Sequence, residues 1–167
     1  TLDLMAALKS VRLCGARSHR RKERLVMAKM ESVFTDRAWR AEDREEMDRD
    51  GHIVLPGLLT ADARTRLVEA LGHIQSLMPG DEDYKPSHYA AEYNDYLASL
   101  IGHPQMRGLV HEILGQDIRY DHCVSLNRPG GNGGAHWHSH EYGETKPELG
   151  FVRIFFYVNG FELGDGA

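Results

Sequence analysis

Three of the chain's ten histidines stand at alternate positions in Ala135-His136-Trp137-His138-Ser139-His140-Glu141-Tyr142-Gly143-Glu144. In an extended backbone successive side chains project to opposite faces, so residues two apart share one. On a strand, His136, His138 and His140 line one side, with Trp137 and Ser139 on the other. Two imidazoles at that spacing reach a single metal ion with little backbone distortion, and imidazole suits iron, zinc, copper and nickel alike. The plain alternative is a set of solvated side chains on an exposed strand. The flanks favour a site. Before it, Asn127-Arg128-Pro129-Gly130-Gly131-Asn132-Gly133-Gly134 is a Gly-rich loop that lets backbone approach closely. After the polar loop from Tyr142 to Glu148 comes the most strand-like sequence in the chain, Phe151-Val152-Arg153-Ile154-Phe155-Phe156-Tyr157-Val158, with a turn signal at Asn159-Gly160.

The elements that must position this segment begin with helices. Residues 20–34 read as an amphipathic helix through Val26, Met30, Val33 and Phe34. Residues 38–50 read as a charged helix with Glu45 and Arg49 at i,i+4 and Gly51 placed to end it. His52-Ile53-Val54-Leu55 reads as a short buried strand before the Pro56-Gly57 turn. Thr60 is an N-cap for a helix whose face is Ala63, Leu67, Ala70, Leu71, Ile74 and Met78, stopped by Pro79-Gly80. Ser87 caps a predicted helix holding Tyr89, Tyr93, Tyr96, Leu97 and Leu100, closed by Gly102. Its tyrosines fit an apolar face packed on a sheet better than the rim of a substrate mouth. Pro104 opens the next helix, with Met106, Leu109, Val110 and Ile113 inward and Gly115 at its end.

The period then changes to two. Ile118, Tyr120, His122, Val124 and Leu126 alternate with Arg119, Asp121, Cys123 and Ser125, the pattern of a strand. Helices first and strands afterwards argue for an α+β arrangement and against a parallel α/β sheet. About five strands are readable, and the last runs into the C-terminus. So bare a sheet edge leads us to expect that the chain stops partway through the fold.

Composition narrows the class. A chain of 167 residues fits one domain with a real core, and 41% apolar with 27% charged residues is a globular composition. No apolar run approaches the roughly 20 residues that cross a bilayer, so no membrane partner is expected. Thr1 to Leu13 lacks the layout of a signal peptide, and Cys14 and Cys123 match no CxxC pattern, so a cytoplasmic location is expected. Net charge is uneven: residues 1–40 carry ten Lys/Arg against four Asp/Glu, +6, and residues 41–167 ten against twenty-one, −11. The basic run Arg17 to Arg24 is short and has no interleaved aromatics. It reads as a solvated helix or an arm lying on the acidic remainder, with no nucleic-acid partner. Residues 1–37 are therefore read as a basic helical arm and 38–167 as the domain.

The order and wording of these elements resemble the phytanoyl-CoA dioxygenase family of Fe(II)/2-oxoglutarate oxygenases over roughly residues 40–167. The carrying residues are Asp50-Gly51-His52-Ile53-Val54-Leu55-Pro56-Gly57-Leu58-Leu59, the helix ending Ile113-Leu114-Gly115, Asn127-Arg128-Pro129-Gly130, Trp137-His138 and Gly164-Asp165-Gly166-Ala167. The resemblance implies N-terminal helices packed on a double-stranded β-helix, a jelly roll of cupin-like form. It also implies iron at one mouth on a two-His-one-carboxylate triad, with positions open for 2-oxoglutarate and O₂. Such enzymes convert 2-oxoglutarate to succinate while hydroxylating a small organic substrate.

Within that resemblance His138 falls on the first histidine of the family's His-x-Asp pair, and His140 stands where the aspartate belongs. An imidazole there removes one negative charge from the ligand set. Either His140 itself ligates, or Glu141 or Glu144 supplies the carboxylate, or the site binds iron poorly; ligation by His140 is the favoured reading. Val124 and Phe155 fall on cosubstrate-pocket positions, and His136 stays outside the ligand set. Arg153 interrupts an apolar strand, facing either the barrel interior or solvent at an edge. No catalytic residue is expected beyond the metal ligands. The family's distal histidine and its 2-oxoglutarate arginine would follow the Gly-Ala at the end, so the 167 residues alone are expected not to turn over. The rival readings are a non-catalytic jelly-roll module that binds a metal or ligand, and a three-histidine cupin-type enzyme that uses no 2-oxoglutarate.

Overall fold

The computed structural model describes residues 2–6 (backbone only), 31–78, 85–127 and 150–160. Helix α1, Ala41–Asp50, is held at its start by one buried carboxylate. Asp43, 2% exposed, accepts from the Arg40 N–H at 3.0 Å and from the guanidinium groups of Arg37 at 2.7 Å and Arg40 at 3.1 Å. These three donors hold its carboxyl far below the usual carboxylate range. At the other end Gly51 takes φ 71°, a left-handed conformation that an L side chain resists, and donates to the Met47 carbonyl. The expected Glu45–Arg49 pairing gives way to Arg49–Asp50 and Arg44–Asp48 ion pairs. Arg44 also reaches the carbonyls of Glu112 and Ile113, a cation at the C-terminal end of another helix.

Helix α2, Ala61–Ser76, is capped by Thr60, whose hydroxyl accepts from the Ala63 N–H and donates to the Ser32 carbonyl. Its buried face is Ala63, Leu67, Ala70, Leu71 and Ile74, the apolar stripe expected from the spacing. Leu67 and Leu71 have no exposed surface, and burying a side chain of that size stabilises by about 1.5–3 kcal/mol. Where one helix was expected after Ser87 there are three short ones: α3, Lys85–His88; α4, Ala90–Tyr93; and α5, Asp95–Ile101. The breaks have local causes. Tyr89 leaves the helical region (φ −126°, ψ 42°), and Asn94 is extended, with its side-chain oxygen accepting from the Leu97 N–H to start α5. Helix α6, Pro104–Leu114, begins with proline at its first position and ends at Gly115, as expected.

The sheet is small and antiparallel. Strand β1, Leu2–Ala6, lies between β2, Cys123–Asn127, and β3, Ile154–Phe155, giving the order β2-β1-β3. The helix expected over residues 20–34 lies outside the described residues as far as residue 30; the described parts of the arm, 2–6 and 31–34, are not helical. Leu2–Ala6 is extended, and Val33 and Phe34 are core residues, with Phe34 in an isolated bridge to Leu59. Both pair with segments distant in sequence, which local periodicity does not register. His52-Ile53-Val54-Leu55 is neither a strand nor buried: it has no ladder partner among the described residues, and Val54 is 70% exposed. The long strands expected over 118–126 and 151–158 shorten to β2 and β3. The turn at Asn159-Gly160 does form, with Gly160 at φ 73° donating to the Tyr157 carbonyl.

One face of the sheet packs on the helices. Cys123, Ile154, Phe156 and Val158 join the apolar cluster built from α2, α5 and α6. Cys123 and Ser125, expected on the polar side of their strand, are buried at 1% and 7% exposure. Among the described residues, no helix is long and apolar enough to cross a membrane.

Candidate functional site

His136, His138, His140, Glu141 and Glu144, together with residues 128–134 and 161–167, lie outside the described residues. Val124 and Phe155 lie within them. In β1, Met5 is the backbone partner of Val124 on one side and of Phe155 on the other, so the sheet register brings the two into a single row. Directly opposed residues of an antiparallel ladder project to the same face. Val124 and Phe155 therefore share a face, two strand spacings or about 10 Å apart. The adjacent row runs Cys123, Ala6, Ile154, and Cys123 and Ile154 belong to the face packed on the helices. Val124 and Phe155 look the other way.

That second face has its own chemistry. Val124 is buried to 7% yet stands apart from the helical core cluster, whereas Phe155 is 41% exposed. The Phe155 ring stacks on Tyr157, two residues along, with centroids 6.1 Å apart and planes 12° from parallel. The half-buried Arg153 lays its guanidinium over the Phe151 ring at 5.2 Å, a cation–π contact. Alternation puts Phe151, Arg153, Phe155 and Tyr157 on this side and Ile154, Phe156 and Val158 on the core side, which their burial follows.

Just before β2, the His122 Nδ1 lies 2.9 Å from the Asp121 carboxylate, and the Tyr89 ring sits 6.5 Å from the imidazole. A carboxylate on Nδ1 favours the proton there and leaves Nε2 as the acceptor. Burial, opposed in part by the Asp121 charge, lowers the Arg153 pKa. Neighbouring Cys123 is inert, its thiol pushed up to about 12 by burial. Sequence reasoning missed the Asp121–His122 pair because it counted His122 with the apolar side of its strand. An acid directly before a histidine at a strand's start was the available signal.

The tyrosines depart from expectation. Tyr89 and Tyr93 are 48% and 41% exposed and do not form an apolar face on the sheet; in their segment Ala90 and Ala91 are the buried residues. Tyr96 is covered by the Arg66 guanidinium 5.8 Å from its ring centre. Arg66 and Tyr96 also line a shallow hollow of about 430 Å³ with Glu69, Ala70, His73 and Asn94. This hollow is formed by the helices and does not include Val124 or Phe155. Its openness to solvent and its polar rim make it a poorer candidate than the sheet face. Among the described residues no three His, Cys, Asp or Glu side chains are grouped to hold a metal.

Compared with models of protein families, with curated proteins and with solved structures, the chain finds no match.

Proposed function

We propose that the chain is part of a cytoplasmic Fe(II)/2-oxoglutarate-dependent oxygenase of the phytanoyl-CoA dioxygenase kind, its helices packed on a jelly roll, acting on a small organic substrate with O₂. The observation that supports this best is the two-sided sheet. Helices cover the Cys123–Ile154 face, and the two residues assigned to the cosubstrate pocket, Val124 and Phe155, share the other. A barrel oxygenase needs that division, with one face for stability and one for the reaction.

The donor chemistry fits the metal: imidazoles at His138 and His140 suit Fe(II), with His140 taking the place of a carboxylate. On the described face, a buried valine and a half-exposed aromatic ring on the two outer strands offer the cosubstrate apolar contacts. Bound iron would let O₂ act as the oxidant, with 2-oxoglutarate giving up two electrons as it becomes succinate and CO₂ and the substrate's C–H bond two more. The chain's own work is to grip and to orient. His138 and His140 hold the ion, Val124 offers an apolar contact, and the Phe155–Tyr157 stack presents a flat aromatic surface to whatever lies against it.

The test is Fe(II)-dependent release of succinate from 2-oxoglutarate by the gene's whole product. Succinate that requires iron and is lost on His138→Ala supports the proposal. No succinate across a broad substrate screen, with zinc at full occupancy, favours the non-catalytic module instead.

A further inference from the structure

A buried histidine caps its own helix through one ring nitrogen and holds the chain that precedes α1 through the other. His103, 5% exposed, is the N-cap of α6, and its Nδ1 accepts from the Gln105 N–H at 3.2 Å. That acceptor role leaves the proton on Nε2, which donates to the Glu31 carbonyl at 3.3 Å. Gln105 completes the clamp. Its Oε1 accepts from the N–H groups of Val33 at 2.8 Å and Phe34 at 3.1 Å, and its Nε2 donates to the Phe34 carbonyl at 3.0 Å. The start of α6 thus grips residues 31–34 by four hydrogen bonds, and Phe34 in turn meets Phe156 in the core, ring centres 6.3 Å apart.

We propose that His103 is a proton-operated latch: when its ring takes a second proton, α6 loses its cap at the Gln105 N–H, and the Gln105 side chain loosens its hold on Val33 and Phe34 while the Glu31 bond remains. The imidazolium has an N–H on both nitrogens, so Nδ1 then points a donor at the Gln105 N–H. Among the described residues no acceptor partners that new donor. The charged and titratable groups around the hollow beside the ring are Glu31, Asp62, Arg66 and Tyr96, and Arg66 is ion-paired with both Glu31 and Asp62. Burial pushes the ring's pKa below its ordinary 6.5. The neutral, latched state therefore holds above 6.5, and the latch opens as pH falls through the lower, folded-state value. The latch needs no metal and stands whether or not the oxygenase reading holds.

The test is amide hydrogen exchange, corrected for its intrinsic pH dependence, at Val33 and Phe34 between about pH 7.5 and about pH 4.5, with Leu71 and Ile74 of α2 reporting global opening. A ring-carbon NMR titration of His103 runs alongside. In the native protein, protection at Val33 and Phe34 falls on the order of tenfold in step with the His103 titration, ahead of Leu71 and Ile74. His103→Asn keeps an N-cap acceptor that does not titrate, so its protection stays flat over the same range. Protection that falls equally in native and variant protein overturns the latch. So does a ring that titrates with Val33 and Phe34 unmoved, or a loss that merely tracks Leu71; these last two readouts need only the native protein.

Discussion

Phe155 lets the proposed pocket be tested apart from stability. Its ring lies outside the helical core, 41% exposed and stacked on Tyr157. Phe155→Ala is therefore expected to cost within about 0.5 kcal/mol of stability, the range of an ordinary surface change. In the oxygenase reading the same change weakens 2-oxoglutarate binding severalfold. Thermal denaturation and calorimetric titration of the iron-loaded protein measure the two effects separately, and a large loss of stability without a change in affinity counts against the pocket assignment. Asp43 acts on the molecule in another way. Its pKa is depressed by the donors it accepts from, so the stability it contributes is present above the ordinary 3.8 and is lost as pH falls through the folded value. Melting temperature followed against pH should show a steeper acid limb in the native protein than in Asp43→Asn, whose limb is flatter because that carboxyl is gone.

Among the elements, those built from local signals were the legible ones. Thr60, Pro104, Gly51, Gly102 and Gly115 mark helix ends through capping and backbone geometry, which act within a few residues. The buried stripe of α2 was readable for the same reason. What was misread depends on partners far along the chain. Leu2–Ala6 becomes a middle strand only because Cys123–Asn127 and Ile154–Phe155 flank it, and Val33 and Phe34 are buried because Leu59 and Gln105 receive them. The break at Asn94 was a local signal overlooked: an asparagine whose side chain competes for the helix's own N–H groups. Gly51 gives the direct test at this scale. At φ 71° a methyl group is strained although the space around it is open, so Gly51→Ala should lower stability by about 1–2 kcal/mol in denaturant unfolding. An unchanged midpoint would mean that the left-handed turn does not close α1.

At the scale of the molecule, the helices and the sheet meet through one apolar cluster, and in the oxygenase reading the sheet's other face carries the cosubstrate pocket. The sheet register puts Val124 and Phe155 in one row, a placement that sequence spacing could not supply because it depends on the strand between them. Arg64 of α2 donates to the Val158 carbonyl just beyond β3, and Asn127 of β2 to the Gln75 side chain, so the segments on both edges of the sheet are tied to the same helix. Such a scaffold holds a site rigidly if His138 and His140 belong to it. The decisive measurement is anaerobic titration of the apoprotein with Fe(II), or with Co(II) as its spectroscopic stand-in, in the native chain and in His136→Ala, His138→Ala and His140→Ala. The expected result is one ion per chain, with affinity reduced at least about tenfold by His138→Ala and by His140→Ala and nearly unchanged by His136→Ala. Equal binding in all four proteins, or none in the native chain, would contradict the metal site and the oxygenase with it.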